Sequence, residues 1–181
     1  MCEAIDDVEI GFRQLEFAIK LLSYIELGKI NPADFDTDHL VQLNAGNLHF
    51  PSVNFQSMDA LIRAASLNVV IAFSATTLVL DQAFDATGIK PDFRRSDDDG
   101  KLRLLVYMVR CAYAHGVAYP RWNVTNKKAG VLTVNVEGQT IKLDLARLHG
   151  QVFEINQIGG YENWYRIRNA SQRLFSVASV A

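Results

Sequence analysis

The sequence is poor in the residues that staple, export or strongly charge a protein. Its 181 residues hold two cysteines, Cys2 near the start and Cys111 within a helical pattern, so a structural disulfide is not expected and a reducing compartment fits. The opening Met-Cys-Glu-Ala-Ile-Asp-Asp lacks the basic region and apolar run of a secretory signal, and a cytoplasmic location is expected. A formal net charge of −2 argues against a protein that grips nucleic acid through a uniformly basic surface, so any anion site has to be local. Several chemical signatures are also missing: a Gly-x4-Gly-Lys phosphate loop, a dinucleotide-binding glycine triplet, a Cys-x2-Cys pair, a His-x3-His spacing and a nucleophile elbow. His39, His49 and His149 fall in unrelated segments, so neither a metal nor a cofactor is expected.

Long apolar runs are scarce too. The uncharged stretch from Ala64 to Leu80 is 17 residues, at the lower limit of about 17 to 25 for a membrane span. Ser66, Asn68, Ser74, Thr76 and Thr77 interrupt it, and Arg63 and Asp81 bound it, which suits a helix buried among neighbours and not a membrane protein.

What is present is helical periodicity. With 49% hydrophobic residues the chain can bury a full core, and a single domain over 1–181 is expected. From about Glu3 to Leu27, Ile5, Val8, Phe12, Leu15, Ile19, Leu22 and Ile25 alternate at spacings of three and four, and Gly28 ends the run. Residues 31–56 mix prolines, Asn, Asp and scattered aromatics, which predicts an ordered loop with at most one short helix. Ser57 or Asp59 can cap a second long helix that stops at Thr87-Gly88, and Asp97, Asp98 and Asp99 can cap a third. The three acids read better as a solvated cap than as metal ligands, because ligands must converge from more than one segment. After Pro120 the period changes. Val131-Leu132-Thr133-Val134-Asn135-Val136 and Thr140-Ile141-Lys142-Leu143 alternate as strands and predict a β-hairpin near 131–143. Asp144 can cap a short helix, and Gly159-Gly160 opens a final one with Tyr161, Trp164, Ile167, Leu174 and Val177 inward.

The most distinctive stretch is Arg110-Cys111-Ala112-Tyr113-Ala114-His115-Gly116, at the end of the third helix. Leu102, Leu105, Val109 and Ala112 define one core stripe. Arg103, Tyr107, Arg110 and Ala114 recur on nearly the opposite side, which offers Arg110 to a partner. Gly116 is expected to close the helix in the left-handed conformation, leaving His115 in the last turn. The bland reading is that Arg110 and His115 only satisfy carbonyls and the helix dipole, worth about 0.3 to 1 kcal/mol. The chemical reading is proton transfer beside a phosphate. Metal-free RNA cleavage needs a base for the 2′-hydroxyl, an acid for the leaving oxygen and a cation for the developing charge. Histidine, with an unperturbed pKa near 6.5, can exist in both protonation states near neutrality, and arginine presents forked donors to phosphate. One chain offers one such histidine, and a two-fold axis beside the third helix would supply the second.

The segment Tyr107–Gly116 resembles the signature of the HEPN superfamily, in which four to six residues separate an arginine from the histidine that follows it. Here four residues separate them. The resemblance implies a mainly α, up-and-down helical bundle, in this chain with an inserted β-hairpin, that pairs as a homodimer. It further implies a metal-independent endoribonuclease of toxin or phage-defence type, with Arg110 and His115 catalytic and a neutralising protein as a further partner. The family often has Asn directly after the arginine, where this chain has Cys111. Arg103, Tyr107, Tyr113 and Arg121 are candidate RNA-binding residues, with Arg94, Arg95, Lys127 and Lys128 as a basic margin and Trp122 as a further ring for stacking. The alternative function is a non-catalytic dimerising module that binds a protein or a nucleotide through the same cleft.

Overall fold

Helix-forming runs punctuated by glycine dominate the fold, as the periodicity predicts. The computed structural model describes residues 2–36, 38–50, 55–114, 116–124 and 130–178. It is mainly helical, 59% helix, with two small antiparallel sheets.

The first helix, α1 (Cys2–Glu26), ends where Gly28 takes a φ of +66°, a conformation that costs glycine least. A 3₁₀ turn at Pro32–Asp34 follows, and then strands β1 (His39–Leu43) and β2 (Gly46–Phe50) pair through a two-residue connection. The loop expected over 31–56 therefore holds a hairpin as well as a short helix. Its strands are exposed on both faces, so they lack the buried-and-solvated alternation by which a strand announces itself in sequence. Helix α2 (Met58–Ala86) begins at Ser57, whose Oγ accepts the Ala60 N–H at 3.2 Å, and stops before Gly88 at φ +75°. By length and composition α2 could cross a membrane, with a mean hydropathy of 1.6 over its most apolar window. Of that window, 44% is buried inside the protein.

Helix α3 (Asp98–Tyr113) is capped by Asp97, whose carboxylate accepts the Gly100 N–H at 3.1 Å and pairs with Arg95. Those bonds hold the Asp97 carboxyl down at about 2, the Arg95 contact being the larger cause and Gly100 the next. Strands β3 (Val131–Val136) and β4 (Gln139–Asp144) form the expected hairpin, with Leu132, Val134, Val136, Ile141 and Leu143 on its buried face. Glu137 at φ 47° and Gly138 at φ 82° make the tight turn with positive φ at both central residues that matches strand twist. Asp144 caps the short α4 (Leu145–Leu148) through the Ala146 N–H. A 3₁₀ turn at Ile155–Ile158 then leads through the left-handed Gly159 into α5 (Gly160–Ala178). In α5 Trp164, Ile167, Ser171 and Phe175 are fully enclosed, whereas Tyr161 and Leu174 are half-buried.

The chain divides into two units, Met1–Phe12 with Phe73–Ala181, and Arg13–Ala72. In the larger, Phe73 gathers Tyr113, Phe153, Tyr161 and Trp164 around it at ring separations of 5.1 to 6.0 Å. The Trp164 indole donates to the buried Thr76 hydroxyl at 2.8 Å, so no polar atom of the pair is stranded. Helix α3 packs against β3 and α5 in this unit. In the smaller unit Ile25, Leu61 and Ala65 form the core, flanked by Leu21, Leu22, Ile30, Phe55, Met58 and Ile62.

Candidate functional site at the end of the third helix

The sequence reading gave α3 one buried stripe and a polar side opposite. The structure buries it nearly all round: Leu102, Arg103, Leu104, Leu105, Val106, Met108, Val109 and Ala112 are enclosed. Arg103 is therefore not on a surface open to substrate. It is 1% exposed, its Nη1 meets Asp81 Oδ1 at 2.5 Å, its Nη2 meets Asp85 Oδ1 at 3.0 Å and its Nε donates to the Ile89 carbonyl at 2.9 Å. The guanidinium also lies 5.2 Å from the Phe84 ring centroid and 5.9 Å from that of Tyr107. Every nitrogen of the fork is engaged, which suits a cation held in the interior.

Arg110, two turns further along α3, meets the same aspartate differently. Its Nε lies 3.6 Å from Asp81 Oδ2, and its side chain is 40% exposed. Asp81 thus sits between a buried arginine that fixes one oxygen and a half-exposed one that its other oxygen orients. Among the described residues nothing pairs with the Nη groups of Arg110, and these are the donors a phosphate takes in forked fashion. Beside Arg110 is a cavity of about 150 Å³ lined by Ser74, Thr77, Leu78, Tyr113 and Ala114. The β3–β4 hairpin contributes nothing to that lining. The start of β3 instead lies with Lys101 and Leu104, in the first half of α3.

Tyr107 is half-buried, one turn before Cys111 on the same helix. The neighbouring Cys111, burial and Asp81 raise its phenol above the ordinary range, with Arg110 opposing them. Cys111, directly after Arg110, is a partly buried free thiol. Tyr113 packs its ring against Phe73 at 5.5 Å and Phe153 at 5.4 Å, and burial pushes its phenol up as well. Only part of it reaches the cavity. Trp122 is fully enclosed, 1% exposed, with its indole N–H on Gln157 at 2.7 Å, so it is a core residue and not a stacking platform.

His115, the histidine of the motif, lies outside the described residues, as do Lys127 and Lys128. The helix end preceding His115 differs from the sequence reading. Ala114 caps α3 in the right-handed region at φ −62° and ψ −24°, its N–H bonding to the Cys111 carbonyl, and Gly116 is not among the glycines at positive φ. Two i→i+3 bonds close this end, Ala114 N–H to the Cys111 carbonyl and Gly116 N–H to the Tyr113 carbonyl, and neither Ala114 nor Gly116 is left-handed. Arg121 is exposed and lines a second, larger cavity together with Ala112 and Gly116. Arg95 is committed to Asp97.

Among the described residues no three His, Cys, Asp or Glu side chains cluster as metal ligands do. Comparison of the chain with protein-family models, with curated proteins and with solved structures finds no match.

Proposed function

We propose that the protein is a HEPN-type, metal-independent endoribonuclease of the cytoplasm, an up-and-down bundle that works as a homodimer with Arg110 and His115 of both protomers in one composite site. The observation that carries this reading is the ordered pair of arginines on Asp81. Arg103 locks the carboxylate from inside, the carboxylate steers Arg110 Nε, and the outer donors of Arg110 stay open at a cavity mouth. Such preorganisation is what transition-state charge stabilisation demands, because the cation need not reorganise as charge develops. The cavity of about 150 Å³ is below the range of about 300 to 1,000 Å³ usual for ligand sites, which supports a reading in which a second copy completes the cleft. A ribonuclease of this kind needs restraint in its own cell, which makes a neutralising protein its natural partner.

The same small cavity, together with the neutralising charge of Asp81 next to Arg110, favours a second reading in which the cleft is a non-catalytic dimerising or protein-binding surface. Cleavage of mixed-sequence RNA in EDTA separates the two. The nuclease reading expects His115→Ala to lose about a hundred- to ten-thousandfold in rate with the fold intact. Arg110→Ala should also lose cleavage, and Arg110→Lys should recover little because an ammonium has no fork. A well-folded, dimeric wild-type protein that cleaves no RNA overturns the nuclease and leaves the module.

A further inference from the structure

The β1–β2 hairpin belongs to the smaller unit, and among the described residues no third strand pairs with it, so both of its outer edges are open. A two-stranded hairpin is marginal in water by itself, and an open edge is a template for another chain. We propose that the outer edge of β1 is a docking site for an extended segment of a protein partner, one that alternates apolar with basic residues and adds as a third strand.

The register tells which backbone groups are on offer. A two-residue connection joins the strands, so Leu43 and Gly46 form a hydrogen-bonded pair and the ladder alternates from there. Leu43, Val41 and His39 direct their N–H and C=O groups to β2. Leu40 and Gln42 turn theirs outward, as Asn47 and His49 do on the opposite edge, and no described backbone group outside the ladder bonds to these four. The two edges are not equal. Natural edges are blunted by lysine, proline or a bulge. Strand β2 is followed at once by Pro51, which has no N–H to give. Strand β1 has no charged residue, no proline and no break in its register.

Side chains set what the added strand must carry. Pairing puts Val41 and Leu43 on one face with Leu48 and Phe50, and all of these but Val41 are exposed, while Leu40, Gln42, Asn47 and His49 take the other face. A strand laid beside β1 thus meets an apolar strip at every second residue. Charge decides between occupants. Between Lys29 and Arg63 the chain has four aspartates, Asp34, Asp36, Asp38 and Asp59, and neither lysine nor arginine. Three of them directly precede β1. A second copy would bring the same acidic segment with no base to answer it, whereas a basic segment is drawn in. Main-chain bonds then give the docking its affinity, and alternate side chains its specificity. All of these residues lie in the smaller unit and none lines the Arg110 cavity, so the proposal does not rest on RNA cleavage.

Fluorescence anisotropy of the full chain with a labelled peptide, Lys-Val-Lys-Val-Lys-Val-Lys, tests the assignment. It is expected to bind with Kd below about 100 μM, and at least about tenfold tighter than the same peptide with Glu for every Lys or with Gly for every Val. Gln42→Pro removes one outward N–H and leaves the ladder to β2 whole, so it should fold and weaken binding about tenfold or more. Asn47→Pro, the same change on the opposite edge, should bind as wild type does. Unchanged circular dichroism and melting temperature show that both variants fold. Asp38→Lys, which lies before the strand and leaves its backbone alone, guards against a distorted hairpin and should weaken binding about threefold or more. Sedimentation of Gln42→Pro should give the wild-type mass. No binding of the Lys-Val peptide, equal binding of either control peptide, or full binding by folded Gln42→Pro overturns the proposal. So does a fall in the mass of Gln42→Pro, which would give the edge to a second copy.

Discussion

Arg103 and Arg110 sit seven residues apart on one helix and share one aspartate, yet they do different work. Arg103 is sealed in with an acceptor for each nitrogen, whereas Arg110 has one loose contact and keeps its fork at the surface. The difference comes from the partner helix. Asp81, Asp85 and the Ile89 carbonyl all reach Arg103, and among the described residues only Asp81 reaches Arg110. Helical spacing assigns the two arginines one face, and depth is decided by what stands across from it.

The largest expected effect is on the buried member. Arg103→Ala strands Asp81 in the interior and should cost about 3 to 5 kcal/mol, read as a drop in the chemical denaturation midpoint at constant slope. Replacing the pair with apolar side chains, Arg103→Met with Asp81→Leu, should restore much of that loss. If Arg103→Ala is as stable as wild type, the arginine is not the lock described. Next comes Asp81→Asn, which keeps the shape and removes the charge that both arginines address. It should destabilise by about 1 to 3 kcal/mol and also slow RNA cleavage, because Arg110 loses its guide. By contrast, Arg110→Ala should change stability by no more than about 1 kcal/mol, as exposed pairs do. A large loss of stability there would place Arg110 with Arg103 as a structural cation. The smallest effect belongs to the helix cap. Asp97 has its carboxyl lowered from 3.8 to about 2, so its contribution is full above the unfolded value and fades as pH falls through the folded one. Asp97→Ala should therefore melt below wild type at neutral pH, and the gap should close between about pH 4 and pH 2. A gap unchanged across that window would show that the cap does not depend on the charge.

Where one face of an element is buried, the sequence pattern is a reliable guide. Val131–Val136 and Gln139–Asp144 alternate because one side of their hairpin is core, and their turn carries a glycine where positive φ needs it. His39–Leu43 and Gly46–Phe50 have no buried face, so Leu40, Leu43, Leu48 and Phe50 follow no alternation that burial enforces, and the pairing is invisible to periodicity. At the site, the motif, its helix and the half-exposed Arg110 were legible. The burial of Arg103 was not, because two acids and a carbonyl from another segment create it. Gly116 shows a further limit: a helix can end by tightening its last turn, so a glycine nearby need not be left-handed. The cavity at Arg121 was the least legible feature. Arg121 itself stood among the candidate residues and Asn123 lies two residues on, but His149 joins them through the turn at Gly150, and nothing in its spacing signals that meeting.

The chain has two tryptophans, and both lie within the larger unit. Trp122 and Trp164 are each sealed from water, and each indole N–H is bonded to a side-chain oxygen. Their emission should be blue-shifted in the native protein and should redden only when that unit opens, whereas the smaller unit has Tyr24 as its aromatic hydroxyl and no indole. Indole fluorescence thus follows one unit while far-ultraviolet dichroism follows every helix. Superimposed melting curves from the two signals would mean that the units unfold together, and separated curves would give each unit a transition of its own.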